Sequence, residues 1–254
     1  MRDGTRISFA TTEGTRSVER GPDMHGGTVW LPGLIPALLK RDCGKCTSKL
    51  QILIGGPYTK NGENHPYGHA ALRVVKPGSD QTYDFGRYGK VWGVGGSQGE
   101  GIMRVWSNFA NYIAGEKATG RVTTGHTLCV TEAQADEIKQ SFDEKLKGAN
   151  DLGKSSSGYR KYRLAQDYDA LGSNCTTQTL DGAIAGLPPV DDAAGPFNTG
   201  RGLSGGESMM VKLKGWPDHI FMPEDLNAYL KSPEFLGLAL KSGMHAPCVD
   251  IYQK

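Results

Sequence analysis

No stretch of the chain leaves its backbone fewer options than HPYGHAALRVVKPGSDQTYDFGRYG, residues 65–89. Two short runs alternate apolar and polar residues, the period of a strand with one buried face. Between them Pro77-Gly78-Ser79-Asp80 supplies turn chemistry, so the segment reads as a β-hairpin. Alternation then sorts the side chains. Ala70, Leu72 and Val74 point one way; His69, Ala71 and Arg73 point the other. On the returning strand Tyr83 and Phe85 are the core-facing residues. If they share a core with Leu72 and Val74, then Thr82, Asp84 and Gly86 lie on the face that carries His69. Asp84 is then placed to accept a hydrogen bond from one imidazole nitrogen and fix the tautomer. A one-residue slip in register would separate the two.

The remaining elements are read from periodicity and capping. KLQILIGG (49–56) and HTLCV (126–130) are strands. TEAQADEIKQSFDEKLK (131–147) is a helix: Thr131 and Gln134 form a capping box, and Ala135, Ile138, Phe142 and Leu146 follow one face. IMRVWSNFANYI (102–113) is a mixed amphipathic segment, and PEDLNAYLK (223–231) a helix opened by Pro223. Residues 1–48 read as an irregular N-terminal extension with one short apolar helix candidate, LIPALLK. Glycine makes up 36 of the 254 residues, about twice average usage, and it concentrates in 86–101 and 190–215. Both are expected to be loop-like insertions in a single domain over 49–254. The fold class is α+β, an antiparallel sheet packed against helices. The net charge of +2 comes without a run of like charges, so nothing points to nucleic acid. No window approaches the ~18 apolar residues of a membrane span. The N-terminus lacks the apolar stretch of a secretory leader, so export would fall to other machinery.

Five cysteines, at 43, 46, 129, 175 and 248, leave at least one thiol unpaired. CGKC (43–46) reads as a local disulfide or two ordinary loop thiols, and as half a zinc site only if His25 or His65 joined it. Both histidines read better as loop residues, with His65 near the mouth of a site around His69. No metal and no cofactor is expected. His126, on an apolar strand, reads as a satisfied core or edge residue. GLSGG (202–206) and GGSQG (95–99) match the serine-nucleophile elbow, but neither is expected to follow a strand and open a helix. In DYDALGSNCTTQTLDGAIAGL (167–187) a thiol, Cys175, stands at the first turn of a helix that ends near Gly186 ahead of Pro188-Pro189. Packing is one reading of a helix thiol. Chemistry is the other, because the positive end of a helix favours a thiolate, and a thiolate with a histidine in reach is a nucleophile with its base. Trp92 and Trp106 flank the glycine-dense loop, as a substrate rim or as ordinary packing.

These residues carry a resemblance. GHAALRV…TYDFGRYG, then a helix led by Thr-Glu-x-Gln, then YDALGSNCTTQTLDGA, resembles the circularly permuted papain-like cysteine hydrolases, permuted relatives of the NlpC-type cell-wall peptidases. Lecithin-retinol-acyltransferase-like enzymes belong to the same broad group. In that group the strand histidine comes first and an Asn-Cys pair opens a later helix, the order found here in His69 and Asn174-Cys175. The likeness covers roughly residues 50–187 and the PEDLNAYLK tail. It implies a permuted papain-like fold, with Cys175 as nucleophile, His69 as general base and Asp84 as third member, a place where relatives often use His or another polar residue. Tyr83, Asn174 and Trp92 become candidate substrate contacts, although Asn174 also reads as a helix cap. The Cys175 N–H would serve, with a neighbouring donor, as an oxyanion hole.

The function implied is a cysteine amidase or endopeptidase cutting peptidoglycan stem peptides. Some members of the group resemble antibacterial effectors of type VI secretion, which implies action in the periplasm of a target bacterium, a cytoplasmic stay in the producer, a secretion apparatus and a cognate immunity protein. The alternative is a lipid-directed thiol acyl hydrolase or acyltransferase, which would carry an exposed apolar patch or anchor; IMRVWSNFANYI is the candidate. A non-catalytic binding module is a third class, and an intact His69–Asp84–Cys175 set counts against it.

Overall fold

A computed structural model describes residues 6–11, 14–19, 45–60 and 62–253. The chain divides into two compact units, Met1–Lys40 and Arg41–Lys254. In the first, β1 (Arg6–Thr11) pairs antiparallel with β2 (Gly14–Glu19), so the extension is not wholly irregular. Its β-branched and aromatic residues, Ile7, Phe9, Thr11 and Val18, suit a hairpin even though each strand is short. The LIPALLK helix candidate lies outside the described residues.

The second unit is α+β, built on one eight-stranded sheet in which every neighbouring pair is antiparallel. Its centre is β3 (Ser48–Gly55), β6 (His69–Lys76) and β7 (Ser79–Gly86). Between β3 and β6 lies a small hairpin, β4 (Tyr58–Lys60) with β5 (Glu63–His65). The β6–β7 hairpin turns through Pro77-Gly78 with Leu72 opposite Tyr83, the register that alternation anticipated. Beyond β7 come β10 (Ile102–Trp106), β13 (Tyr159–Arg163) and β12 (Asn150–Lys154); on the other flank, β11 (Thr123–Val130) and β15 (Cys248–Tyr252).

Among the described residues there are six α-helices. One sheet face buries Leu50, Ile52, Leu72, Val74, Tyr83 and Phe85 under α2 (Glu132–Lys147), α3 (Cys175–Gly186), α5 (Pro223–Leu230) and α6 (Pro233–Lys241). The opposite face packs Leu53, Ala71 and Trp106 against Tyr112 and Ile113 of α1 (Phe109–Ala118). IMRVWSNFANYI is therefore a core strand followed by a helix capped by Asn108, and not an exposed anchor. The α2–α3 seam is close: a Cβ at Gly186 would stand 2.4 Å from the Gln134 carbonyl oxygen. None of the described helices is long and apolar enough to cross a membrane.

Two glycine-rich segments hold more regular structure than their composition suggests. Within 86–101, β8 (Val91–Trp92) and β9 (Gln98–Gly99) form a three-stranded sheet with β14 (Tyr168–Asp169). Within 190–215, α4 (Gly205–Lys214) begins at a capping box between Ser204 and Glu207, so the GLSGG serine does open a helix, as its cap. The cysteines differ too. Cys46 is bonded to Cys129, with 5.5 Å between Cα atoms, rather than to its neighbour in CGKC. Antiparallel pairing sets Lys49 opposite Cys129, which brings the approach to β3 beside the end of β11. Cys248 is disulfide-bonded as well, and Cys43 lies outside the described residues.

Candidate active site

His69 is the first residue of β6, and Gly68 before it has φ +70°. A Cβ there would approach the Gly55 carbonyl oxygen to 2.6 Å, so only glycine fits the entry to the strand. His69 Nε2 lies 2.6 Å from Oδ1 of Asp84, which is wholly buried on β7. The same Oδ1 accepts a hydrogen bond of 2.8 Å from the Tyr88 hydroxyl, itself 3.3 Å from His69 Nε2. Oδ2 accepts from Arg104, through Nε at 2.8 Å and also through Nη2. Arg104 stands directly opposite Asp84 in the β7–β10 register, and its guanidinium lies 3.6 Å from the centroid of the Tyr88 ring. Every lone-pair direction that burial would leave wanting is thus answered.

Cys175 opens α3 and is the free cysteine among the described residues, 8% exposed. Asn174 is its N-cap. The Asn174 Oδ1 accepts from the amides of Thr176 (2.8 Å) and Thr177 (3.1 Å), and the Thr177 hydroxyl accepts from the Asn174 N–H. The Asn174 amide group donates to the carbonyls of Ala170 and Phe221. The Cys175 N–H is not among the amides this cap consumes. The thiol and the His69 imidazole each shift the other's ionisation, and since Nε2 faces Asp84, Nδ1 is the nitrogen left to serve the thiol.

The electrostatics follow from these contacts. Burial disfavours the imidazolium of His69, but the Asp84 charge and hydrogen bond, with Cys175, raise it to about 10. Burial pushes the Cys175 thiol up; the hydrogen bond and charge of His69, with the Ala70 N–H, outweigh it and bring the thiol below its ordinary value. Burial also opposes the Asp84 carboxylate, yet Arg104, His69 and Tyr88 hold it well below the usual range. The contacts thus favour the thiolate of Cys175 and the imidazolium of His69, beside an ionised Asp84.

Comparison with protein-family models, with curated proteins and with solved structures finds no match for this chain.

The other sequence candidates fall elsewhere. Tyr83 is 2% exposed and stacks on Phe142 at 4.0 Å in the main core, so it has no surface to offer a substrate. Asn174 is buried and its polar atoms are spent on capping, so it is no substrate contact either. Trp92 is exposed on β8 and remains available as a rim, whereas Trp106 is buried against Tyr112 and Tyr159. His65 stacks on Tyr58 in the small hairpin, 4.4 Å between centroids. His126 is buried with Nε2 3.1 Å from Asn227 Oδ1, but its Nδ1 has no partner, so it is only half satisfied. Among the described residues no group of three or more His, Cys, Asp or Glu is placed to hold a metal ion, and His25 lies outside them.

Sequence reasoning missed Arg104, Tyr88 and Tyr168. Tyr168, on β14, stands near enough to feel the charge of Cys175, with Arg87 5.3 Å from its ring. A signal for Arg104 existed: it is the one charge in the apolar strand IMRVW, and such a charge calls for a buried partner.

Proposed function

We propose that this chain is a cysteine hydrolase, an amidase or endopeptidase of the permuted papain-like (NlpC-type) kind, that cleaves peptidoglycan stem peptides as a secreted antibacterial effector. The observation that carries the reading is the grouping of Cys175, His69 and Asp84, the last two hydrogen-bonded, with the histidine on a strand and the thiol at a later helix N-terminus. The Cys175 thiolate attacks the scissile carbonyl carbon, and the oxyanion that forms takes the Cys175 N–H, at the positive end of α3. His69 gives its Nδ1 proton to the leaving nitrogen, the C–N bond breaks, and a thioester remains on Cys175. The neutral imidazole then takes a proton from water, whose oxygen attacks the thioester carbonyl. The tetrahedral intermediate collapses, the carboxylic acid leaves, and the thiolate is restored beside the imidazolium that the water proton has regenerated. Asp84 holds the ring in one orientation throughout, with Arg104 and Tyr88 holding Asp84.

The disulfides at Cys46–Cys129 and at Cys248 suit the oxidising periplasm as the place of action. An effector of this kind would also need an immunity protein over its groove in the producing cell. One observation favours the lipid-directed alternative. Met209, Met210 and Leu213 of α4 are 65%, 51% and 72% exposed, an apolar face beside Lys212 and Lys214. Incubating wild type and Cys175→Ala with purified sacculi and phospholipid vesicles, with products read by mass spectrometry, decides between them. Muropeptide fragments from wild type alone support the peptidase. Free fatty acid or acyl transfer moves the chain to the lipid branch, and identical products from both proteins remove Cys175 from the chemistry.

A further inference from the structure

Immediately before His69 the backbone lines a small cavity of about 110 Å³. Its walls include Gly56, Pro66, Tyr67, Gly68 and Pro223; among the described residues Glu224 is the one charged residue that lines it. Two of those walls are tied to the site along the chain. Gly68 is bonded to His69, and Pro223 lies two residues beyond Phe221, whose carbonyl accepts from Asn174 next to Cys175. The Tyr67 hydroxyl donates to Glu207 of α4, which fixes that ring as one side of the cavity. The Glu224 carboxylate is turned toward the Asn227 amide, 3.4 Å away, and leaves the lining essentially apolar.

The geometry points to a subsite for a compact aliphatic side chain on the leaving-group side of the scissile bond, an inference that rests on the cysteine-hydrolase reading. The side follows from the proton. His69 delivers it to the leaving nitrogen, so the cavity lined by Gly68, the residue before His69, is assigned to the residue that departs with that nitrogen. The size follows from volume: an engineered protein cavity of about 150 Å³ holds benzene, and this one, at about 110 Å³, is smaller. It accommodates a methyl or isopropyl group, the side chain of an alanyl or valyl residue, and turns away a phenyl ring or a long acyl chain. That selects a peptide over a lipid as the substrate class.

The test uses vinyl sulfones, which need no knowledge of the natural substrate. The thiolate adds to the β-carbon of the vinyl group, a proton from His69 goes to the α-carbon, and nothing leaves. The sulfone substituent then lies on the leaving-group side. A series with methyl, isopropyl, phenyl and dodecyl substituents is compared, each rate divided by that of the same compound with glutathione. The expected result is isopropyl and methyl at least tenfold faster than phenyl and dodecyl, the scale on which a pocket discriminates one to a few carbons. Tyr67→Ala, which removes a wall, should raise the phenyl rate at least tenfold. Gly56→Ala, whose Cβ would sit at an ordinary 3.6 Å from the Val122 carbonyl oxygen, should slow isopropyl more than methyl. Normalised rates that are equal across the series, and unmoved by both variants, overturn the subsite while leaving the hydrolase reading intact. If no sulfone and no iodoacetamide labels Cys175, the hydrolase reading itself fails, and the subsite with it.

Discussion

Alkylation of Cys175 by iodoacetamide should depend far less on pH between 6 and 8 than that of an ordinary thiol. His69 stays protonated over that range, since Asp84 and Cys175 raise it to about 10, and the thiol it faces lies below its ordinary value. A thiol at the reference value of about 8.5 is roughly 0.3% ionised at pH 6 and 24% at pH 8, so its rate climbs roughly 75-fold across the interval. A thiolate–imidazolium pair already formed at pH 6 changes less than about twofold. His69→Gln keeps a polar side chain but removes the charge, and burial then pushes the thiol above the reference value, so the same interval should bring a rise close to 100-fold. The slope is the decisive quantity. Absolute rates mislead, because a thiolate of lower pKa is also a weaker nucleophile. The assay is loss of unlabelled protein by intact mass without reductant, where Cys46 and Cys129 are protected as a disulfide. A wild-type rate that climbs 75-fold, or a His69→Gln rate that stays flat, refutes the ion pair.

Four further outcomes follow from named contacts. Asp84→Asn should abolish activity and also destabilise the fold by about 3–5 kcal/mol in urea titration, because the largely buried Arg104 guanidinium loses its partner. Asp84→Asn with Arg104→Met should recover most of that stability and none of the activity; a double variant no more stable than the single one counts against the pairing argument. His126 is held neutral by burial, its pKa lowered from 6.5 to about 4, so the unfolded chain binds the extra proton between those values. Stability is full above pH 6.5 and falls by about 3 kcal/mol as pH drops to 4, and His126→Gln should flatten that acid limb. The Cys46–Cys129 bond closes a loop of 83 residues' separation, worth about 4–5 kcal/mol in the chain-entropy account. The double variant Cys46→Ala with Cys129→Ala should therefore have a Tm lower by about 10 °C, and an unchanged Tm denies the bond a structural role. Gly186→Ala should cost about 1–3 kcal/mol in denaturant unfolding, since its Cβ would meet the Gln134 backbone at 2.4 Å.

What the sequence made legible was local. The β6–β7 hairpin rests on a two-residue turn and a period-two pattern, and its register alone placed Asp84 on the His69 face. The α2 capping box and the Asn174 cap are each written within four consecutive residues. The same alternation put Tyr83 in the core, where it lies, so reading it as a substrate contact ran against its own pattern. Density of glycine misled in the other direction: β8, β9 and α4 form where composition argued for loops, because short strands need only backbone and α4 needs only its Ser204–Glu207 cap.

The unread part of the site is the part made by distant pairing. Arg104 reaches Asp84 only because β10, after the whole 86–101 segment, returns to pair with β7, and no local pattern encodes a neighbour across a sheet. The consequence reaches into the chemistry. A buried carboxylate beside a histidine can share that histidine's proton, and would then leave the imidazole neutral and Cys175 a thiol. Arg104 on Oδ2 and Tyr88 on Oδ1 make the ionised carboxylate the stable form, which makes the imidazolium stable in turn, and the thiolate after it. The ionisation of the Cys175 sulfur is thus set three links away, by an arginine whose partner across the sheet no local pattern names.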